Sequence, residues 1–169
     1  MKGCMLTLSV VLSCAWIGWV ATVVVRAIQF DRGCEGYLKR AADANTVALA
    51  DQNLSVAVDY AQREGMVSGF TSILYRTPDE DVGFWFKNLE SSLEELRAGG
   101  PEASQLERSN VLMKLRETLL DSGESGMRVT LPSVISLYPH NTAYCIFGWL
   151  LACVGVGGVI GFVLLFDME

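Results

Sequence analysis

The chain has 169 residues, of which 51% are apolar and 19% are charged, and its formal net charge is −6 at pH 7. A soluble domain normally carries about a quarter charged residues, so the apolar excess must be concentrated somewhere. These numbers exclude an intrinsically disordered chain, a disulfide-rich mini-protein and a basic nucleic-acid-binding protein. They indicate no particular activity.

The apolar excess lies at the two ends of the chain. Residues 4–25 form an uncharged run of 22 residues, and residues 143–166 form a second run of 24. As α-helices these runs would be roughly 33 and 36 Å long, against a bilayer hydrocarbon core of about 30 Å. Both are therefore long enough to cross a membrane.

We predict a transmembrane helix at 4–26, an extramembrane domain at 27–142 and a second transmembrane helix at 143–166. The first run starts like a secretory signal, but it stays apolar beyond Cys14 instead of opening into a polar mature terminus. This favours an uncleaved signal anchor over a cleaved signal peptide.

The orientation of the two predicted spans has two interpretations. Four basic residues follow the first run (Arg26, Arg32, Lys39 and Arg40), and a simple count of positive charges would place the central domain in the cytoplasm. That rule applies to loops shorter than about 60 residues, whereas this loop has 116. Lys2 before a long apolar run is typical of a signal anchor with a cytoplasmic N-terminus, so we expect an extracytoplasmic domain and cytoplasmic termini.

The central domain is predicted to be an antiparallel bundle of about three helices, in an all-α fold. The patterns place helices at 35–64, 77–98 and 101–121, and a short extended strip at 128–138. Gly65 is expected to stop the first helix, and Thr77 to cap the second. Asn141 is expected to cap the second span. The apolar faces are predicted at Leu38, Ala42, Val47, Leu49, Leu54, Val58 and Ala61; at Val82, Trp85, Phe86, Leu89, Leu93 and Leu96; and at Leu106, Leu112, Met113, Leu115, Leu119 and Leu120.

The inventory of catalytic groups is poor. His140 is the single histidine, and it has no cysteine partner at metal-ligand spacing. Phosphate-binding loops, serine-hydrolase elbows and thiol-redox motifs are missing from the sequence. Cys34, the one cysteine of the central domain, is either inert or a point for an intermolecular disulfide. We predict no enzyme activity, no catalytic or metal-ligating residue and no cofactor.

The positive signal concerns helix association. Small residues recur every four positions in both predicted spans, and such stripes let helix backbones approach closely inside a membrane. The neighbour could be the other span, a second copy or another subunit. The predicted helix-packing residues are Cys14, Gly18, Thr22, Cys153, Gly157 and Gly161.

A second candidate surface is aromatic. Helical phase places Trp85 and Phe86 in the core and points Phe84 elsewhere. Phe84, Tyr75 and Arg76 are therefore candidate partner contacts, since aromatic residues and arginine are favoured at interfaces.

Three stretches, Cys34–Asn45, Gly69–Trp85 and Asn110–Leu120, resemble a family of small bacterial membrane proteins without an assigned activity. The resemblance covers most of the central domain. It implies a bacterial protein, and hence the inner membrane, but it carries no activity to transfer.

We therefore expect a non-enzymatic integral membrane subunit that docks through its two spans and helical domain into a larger bacterial membrane complex. Its expected partners are the lipid bilayer and other membrane subunits or a second copy of itself, but no nucleic acid. The alternative is an extracytoplasmic ligand-binding sensory module that signals laterally to a membrane partner. A polar-lined pocket between the helices would favour that alternative.

Overall fold

The computed structural model describes the backbone of residues 2–98, 104–123 and 126–166, and side chains at residues 7, 8, 10–98, 104–122 and 126–155. It is mostly helical, as predicted. Its helices are α1 (Lys2–Phe30), α2 (Gly36–Ala42), α3 (Val47–Arg63), α4 (Val82–Ala98), α5 (Gln105–Leu119) and α6 (Asn141–Phe166). A two-stranded antiparallel hairpin of β1 (Leu120–Gly123) and β2 (Gly126–Val129) follows α5.

The first long helix of the central domain differs from the prediction. Helix α1 continues through one turn of π-helix, Asp31–Glu35, into α2, so helical backbone extends without a break beyond the predicted span. The predicted helix over 35–64 is wrong because the chain turns between α2 and α3. Thr46 has extended backbone angles there, and its side-chain oxygen accepts a 3.3 Å hydrogen bond from the Leu49 amide. Thr46 therefore caps the start of a new helix, α3, in the middle of the alanine-rich pattern.

Helix α3 returns antiparallel along the helix that ends in α2. Cys34 is fully buried against it, and its thiol donates a long, 3.8 Å hydrogen bond to the Ala57 carbonyl. About one helical turn closer to the predicted membrane, the rings of Phe30 and Tyr60 pack edge to face. As predicted, α3 ends just before Gly65, which has a positive φ of 73°. Leu38, Ala42, Leu54, Val58 and Ala61 are buried, whereas Leu49 is exposed and was wrongly assigned to the core.

Helix α4 begins later than predicted. Thr77 donates a hydrogen bond of 2.7 Å to the Glu80 carboxylate, but Pro78–Glu80 form only a short 3-10 turn. The α-helix starts after Asp81, whose Oδ1 accepts a 3.0 Å hydrogen bond from the Phe84 amide. The predicted face is confirmed: Val82, Trp85, Phe86, Leu89, Leu93 and Leu96 are all buried.

Helix α5 is capped by a reciprocal pair of hydrogen bonds between Ser104 and Glu107. The predicted start at Pro101 lies outside the described residues. Leu115 and Leu119 are buried as expected, but Leu106 and Met113 are exposed. Leu120, at the end of the predicted face, is also buried, so this face is covered at the C-terminal end of α5 and open to solvent at Leu106 and Met113.

The extended strip predicted at 128–138 is present only in part. β2 pairs with β1, while Ile135–Leu137 form a 3-10 turn. Val134 adopts a left-handed conformation before that turn. Asn141 does not cap α6; its Nδ2 donates a 2.9 Å hydrogen bond to the Val134 carbonyl. The side chain thus holds the turn against the start of α6.

Candidate interaction sites

One helical segment of the described chain is long and apolar enough to cross a membrane. It runs over Val10–Ala42, its best window has a mean hydropathy of 1.9, and none of that window is buried inside the protein. Helix α6 packs beside α1 and is apolar over Asn141–Gly155. The second crossing remains a prediction.

The small-residue stripe of α1 is uncovered. Cys14 and Thr22 are exposed, and a Cβ built on Gly18 would meet no atom of the described residues within 4 Å outside its own stretch of helix. The Thr22 hydroxyl donates a 2.8 Å hydrogen bond to the Gly18 carbonyl, so its polarity is satisfied within the helix. The stripe therefore forms an apolar surface whose one hydroxyl, on Thr22, is already hydrogen-bonded. Another helix could approach such a surface closely.

Helix α6 contacts a different face of α1. A Cβ on Gly148 would lie 2.7 Å from Cζ2 of Trp19, so this glycine gives the indole ring its space. Trp19 follows Gly18, and consecutive residues are about 100° apart around an α-helix. Gly148 was not among the predicted packing residues. Its role could not be predicted from the sequence, because the alignment of the two antiparallel helices decides which residue of α1 lies opposite Gly148.

The predicted stripe of α6 is described only at its start. Cys153 is exposed, and among the described side chains none lies within 4 Å of a Cβ built on the nearby Gly155. Gly157 and Gly161 lie outside the residues whose side chains the structure describes. Their role in packing stays a prediction.

The three candidate partner contacts are all at the surface. Tyr75 is 78% exposed, Phe84 is 63% exposed, and Arg76 is also exposed. The Arg76 guanidinium lies 5.6 Å from the centre of the Phe70 ring, over its face. An isolated antiparallel bridge joins Phe70 to Asp81, which brings the start of α4 beside the preceding loop.

Burial perturbs two neighbouring titratable groups near the start of the bundle, Cys34 and Glu35. Burial, together with the neighbouring Glu35 charge, raises the pKa of the Cys34 thiol to about 12. The thiolate is the reactive form of cysteine, so this thiol is protected both by burial and by protonation. Partial burial, with Asp31 nearby, also raises the pKa of Glu35. An intermolecular disulfide through Cys34 is incompatible with its position in this fold.

Metal-binding chemistry has little support in the arrangement of side chains. Within the described part of the chain, no group of three or more His, Cys, Asp or Glu residues could hold a metal ion. His140 is exposed just before α6, and its backbone amide donates to the Leu137 carbonyl. It contributes to the local turn through its backbone.

Comparison with protein-family models, curated proteins and solved structures finds no match.

Proposed function

We propose that the chain is a non-enzymatic subunit of a larger bacterial membrane complex, anchored by two spans and presenting its helical domain on the extracytoplasmic side. It docks by helix packing inside the bilayer, and the domain contacts partners outside it. The resemblance noted in three stretches of the central domain supports the bacterial membrane setting.

The uncovered stripe on α1 is the observation that carries this proposal. Helix α6 packs against the Trp19 face of α1, which leaves Cys14, Gly18 and Thr22 available to a helix from another chain. Apolar side chains give no hydrophobic driving force between helices in lipid, so close backbone approach becomes the main source of attraction. A glycine with open space above it suits that role.

The composition of the bundle core favours a structural role over the sensory alternative. The residues buried among α2, α3 and α4 are mostly small or aliphatic, such as Ala41, Ala50, Leu54, Ala57 and Leu89, and the aromatic members are Trp85 and Phe86. Alanine-rich contacts bring helix axes close together and give a tightly packed interior. Such a core suits a rigid spacer between the membrane and a partner.

The decisive experiment replaces Gly18 with Leu in the full chain. The new side chain has room within the protein, so insertion and folding should persist, while a neighbouring helix would be pushed away. Interhelical contacts of this type contribute about 1–2 kcal/mol each, so association should weaken by roughly tenfold. Native mass spectrometry and cross-linking after mild detergent extraction measure the assembly. Val24→Leu, which adds bulk on another exposed face, is the matched control.

Two further variants separate assembly from internal packing. Gly148→Leu should disturb the contact with Trp19 and loosen α1 from α6, measured by cross-linking within one chain. Gly18→Leu should leave that intramolecular cross-link intact. If the wild type extracts as a clean monomer without co-purifying protein, or if Gly18→Leu and Val24→Leu assemble equally well, the proposal is wrong.

The glycines of the second predicted stripe allow an independent test. Replacing Gly157 and Gly161 together with Leu should reduce association without preventing insertion, because each change adds apolar bulk. The same double change at Val156 and Val163 should have little effect. Equal co-purification of partner by both double variants would show that these glycines do not form a packing face.

A further inference from the structure

The 65–81 loop, which joins α3 to α4, exposes apolar side chains that the bundle does not use. Leu74 is 85% exposed and Tyr75 is 78% exposed, and Ile73 beside them is also exposed. Arg76 follows directly in the sequence. Large apolar side chains clustered on one short loop indicate a surface that is covered in the functional state.

The loop lies at the membrane end of the bundle. Contacts between the first and third helices run antiparallel, from Cys34 with Ala57 to Arg26 with Glu64, whose side chains form a 3.6 Å ion pair. Arg26 is the charge that closes the first apolar run. Helix α3 therefore ends, and the loop begins, at the level where α1 enters the predicted bilayer.

The start of α6 lies at the same level. The Tyr138 hydroxyl donates a hydrogen bond to the Ser68 carbonyl, which ties the segment before α6 to the loop. A Cβ on Gly69 would lie 2.7 Å from that hydroxyl oxygen, and this glycine has a φ of 98°, so a larger residue would fit poorly here. Both apolar helices thus leave the bundle beside the loop.

We infer that the tip of the 65–81 loop inserts into the interfacial layer of the bilayer that holds α1. Leu74 and Ile73 enter the boundary between headgroups and acyl chains, and Tyr75 places its ring and hydroxyl at the headgroup level, where tyrosine is enriched. Arg76 reaches the lipid phosphates with its guanidinium while its alkyl stem stays apolar. This inference rests on the proposed membrane anchoring.

Position and chemistry together favour lipid over a protein partner for this surface. The interfacial layer on each side of the hydrocarbon core is about 6 Å thick, and a loop at the level of Arg26 lies next to it. The nearby acidic groups are engaged locally: Glu80 accepts from Thr77, and Asp81 caps α4. Asp79 adds one further carboxylate to the loop, and apolar insertion does not depend on net charge.

The test places an environment-sensitive bimane label on Leu74→Cys in the full chain, reconstituted at low protein density into phosphatidylcholine vesicles. Buried Cys34 is retained, and the cysteines of the apolar runs are replaced with Ala: Cys4, Cys14, Cys145 and Cys153. Nitroxide-labelled phosphatidylcholine, carrying the nitroxide at a shallow or a deep position, is the quencher. An alkaline wash of the vesicles separately measures anchoring.

Leu106→Cys is the matched control, since Leu106 is a leucine of similar exposure, 70%, in the first turn of α5. Helix α4 starts beside the loop and ends about 25 Å away at Ala98, and α5 begins seven residues later. Arg116, later in the same helix, lies 3.8 Å from Asp43. Asp43 is in turn about 25 Å along the helix axis from Arg26. A label at Leu106 therefore stays in water whether or not the loop inserts.

Bimane at Leu74 should emit at shorter wavelength than bimane at Leu106 and lose most of its fluorescence to the shallow nitroxide, with weaker loss to the deep one. If the protein resists the alkaline wash but the two labels behave alike, the inference is wrong while the proposed anchoring stands. If the blue shift appears only at high protein density and the nitroxide lipids do not quench the label, the loop contacts a second copy of the chain, and the inference is wrong. Release by the wash would refute the anchoring and, with it, this inference.

Discussion

Gly33 allows α3 to approach the π-helical turn that continues α1, and substitution of this glycine tests how close that approach is. A Cβ on Gly33 would overlap the Cδ2 and Cε2 atoms of Tyr60 and lie 3.1 Å from its Cζ. The ring would have to move by about 1 Å to restore ordinary carbon–carbon separations of about 3.5 Å. Its edge-to-face contact with Phe30, at a centroid distance of 6.1 Å, opposes that movement.

Two opposing effects determine the consequence of Gly33→Ala. Alanine stabilises a helix by about 1 kcal/mol relative to glycine, whereas overpacking of this kind costs about 1–3 kcal/mol. In the wild-type background the variant should therefore be neutral to about 2 kcal/mol less stable. In a Tyr60→Ala background the ring is absent, and the same change should stabilise the domain by up to about 1 kcal/mol.

The double-mutant cycle between Gly33→Ala and Tyr60→Ala should give a coupling free energy of about 1–3 kcal/mol. Urea unfolding of the full chain in detergent micelles, followed by the fluorescence of buried Trp85, measures each free energy of unfolding. A coupling below about 0.5 kcal/mol, the level expected for independent sites, would refute the close approach of the two helices at this position.

Three further predictions concern the bundle. The Cys34 thiol should resist a maleimide reagent in the native chain and react after denaturation, as measured by mass spectrometry; fast native labelling would contradict its burial. Leu54→Ala should reduce the free energy of unfolding by about 3 kcal/mol and the exposed Leu49→Ala by less than about 1 kcal/mol, in urea titrations of both variants. The hydrogen bond from the Ser104 amide lowers the pKa of Glu107 from its ordinary value of 4.5, so its contribution to stability is present above that value and is lost as the pH falls through the lowered pKa. The difference in stability between wild type and Glu107→Gln should therefore shrink in acid, and a constant difference would exclude this linkage.

The features predicted correctly from the sequence depend on local chemistry. The stop at Gly65 needs only a residue that tolerates positive φ, and the buried face of α4 follows from apolar side chains at helical spacing. The assignment of Trp85 and Phe86 to the core, with Phe84 outside it, likewise follows from phase within one helix. Each of these features depends on residues within a few consecutive helical turns.

Where predicted core residues are exposed instead, the deciding partner is distant in the sequence. Leu49 and Met113 fit apolar stripes, but exposure depends on which helix lies opposite, and their neighbours leave them in solvent. The break between α2 and α3 was hidden because alanine and leucine continue on both sides of Thr46. Local periodicity describes a possible face but does not identify what covers it.

The sequence by itself determined that this is a largely helical protein with two apolar ends, an acidic central domain and a single histidine. Only the tertiary structure decided that Gly148 accommodates Trp19 and that Gly18 faces open space among the described residues. It also decided that the 65–81 loop begins next to the Arg26–Glu64 ion pair and is tied to Tyr138 through Ser68. The physical reason is that helix formation depends on neighbouring residues. Register and surface availability instead depend on the packing of segments that are far apart along the chain.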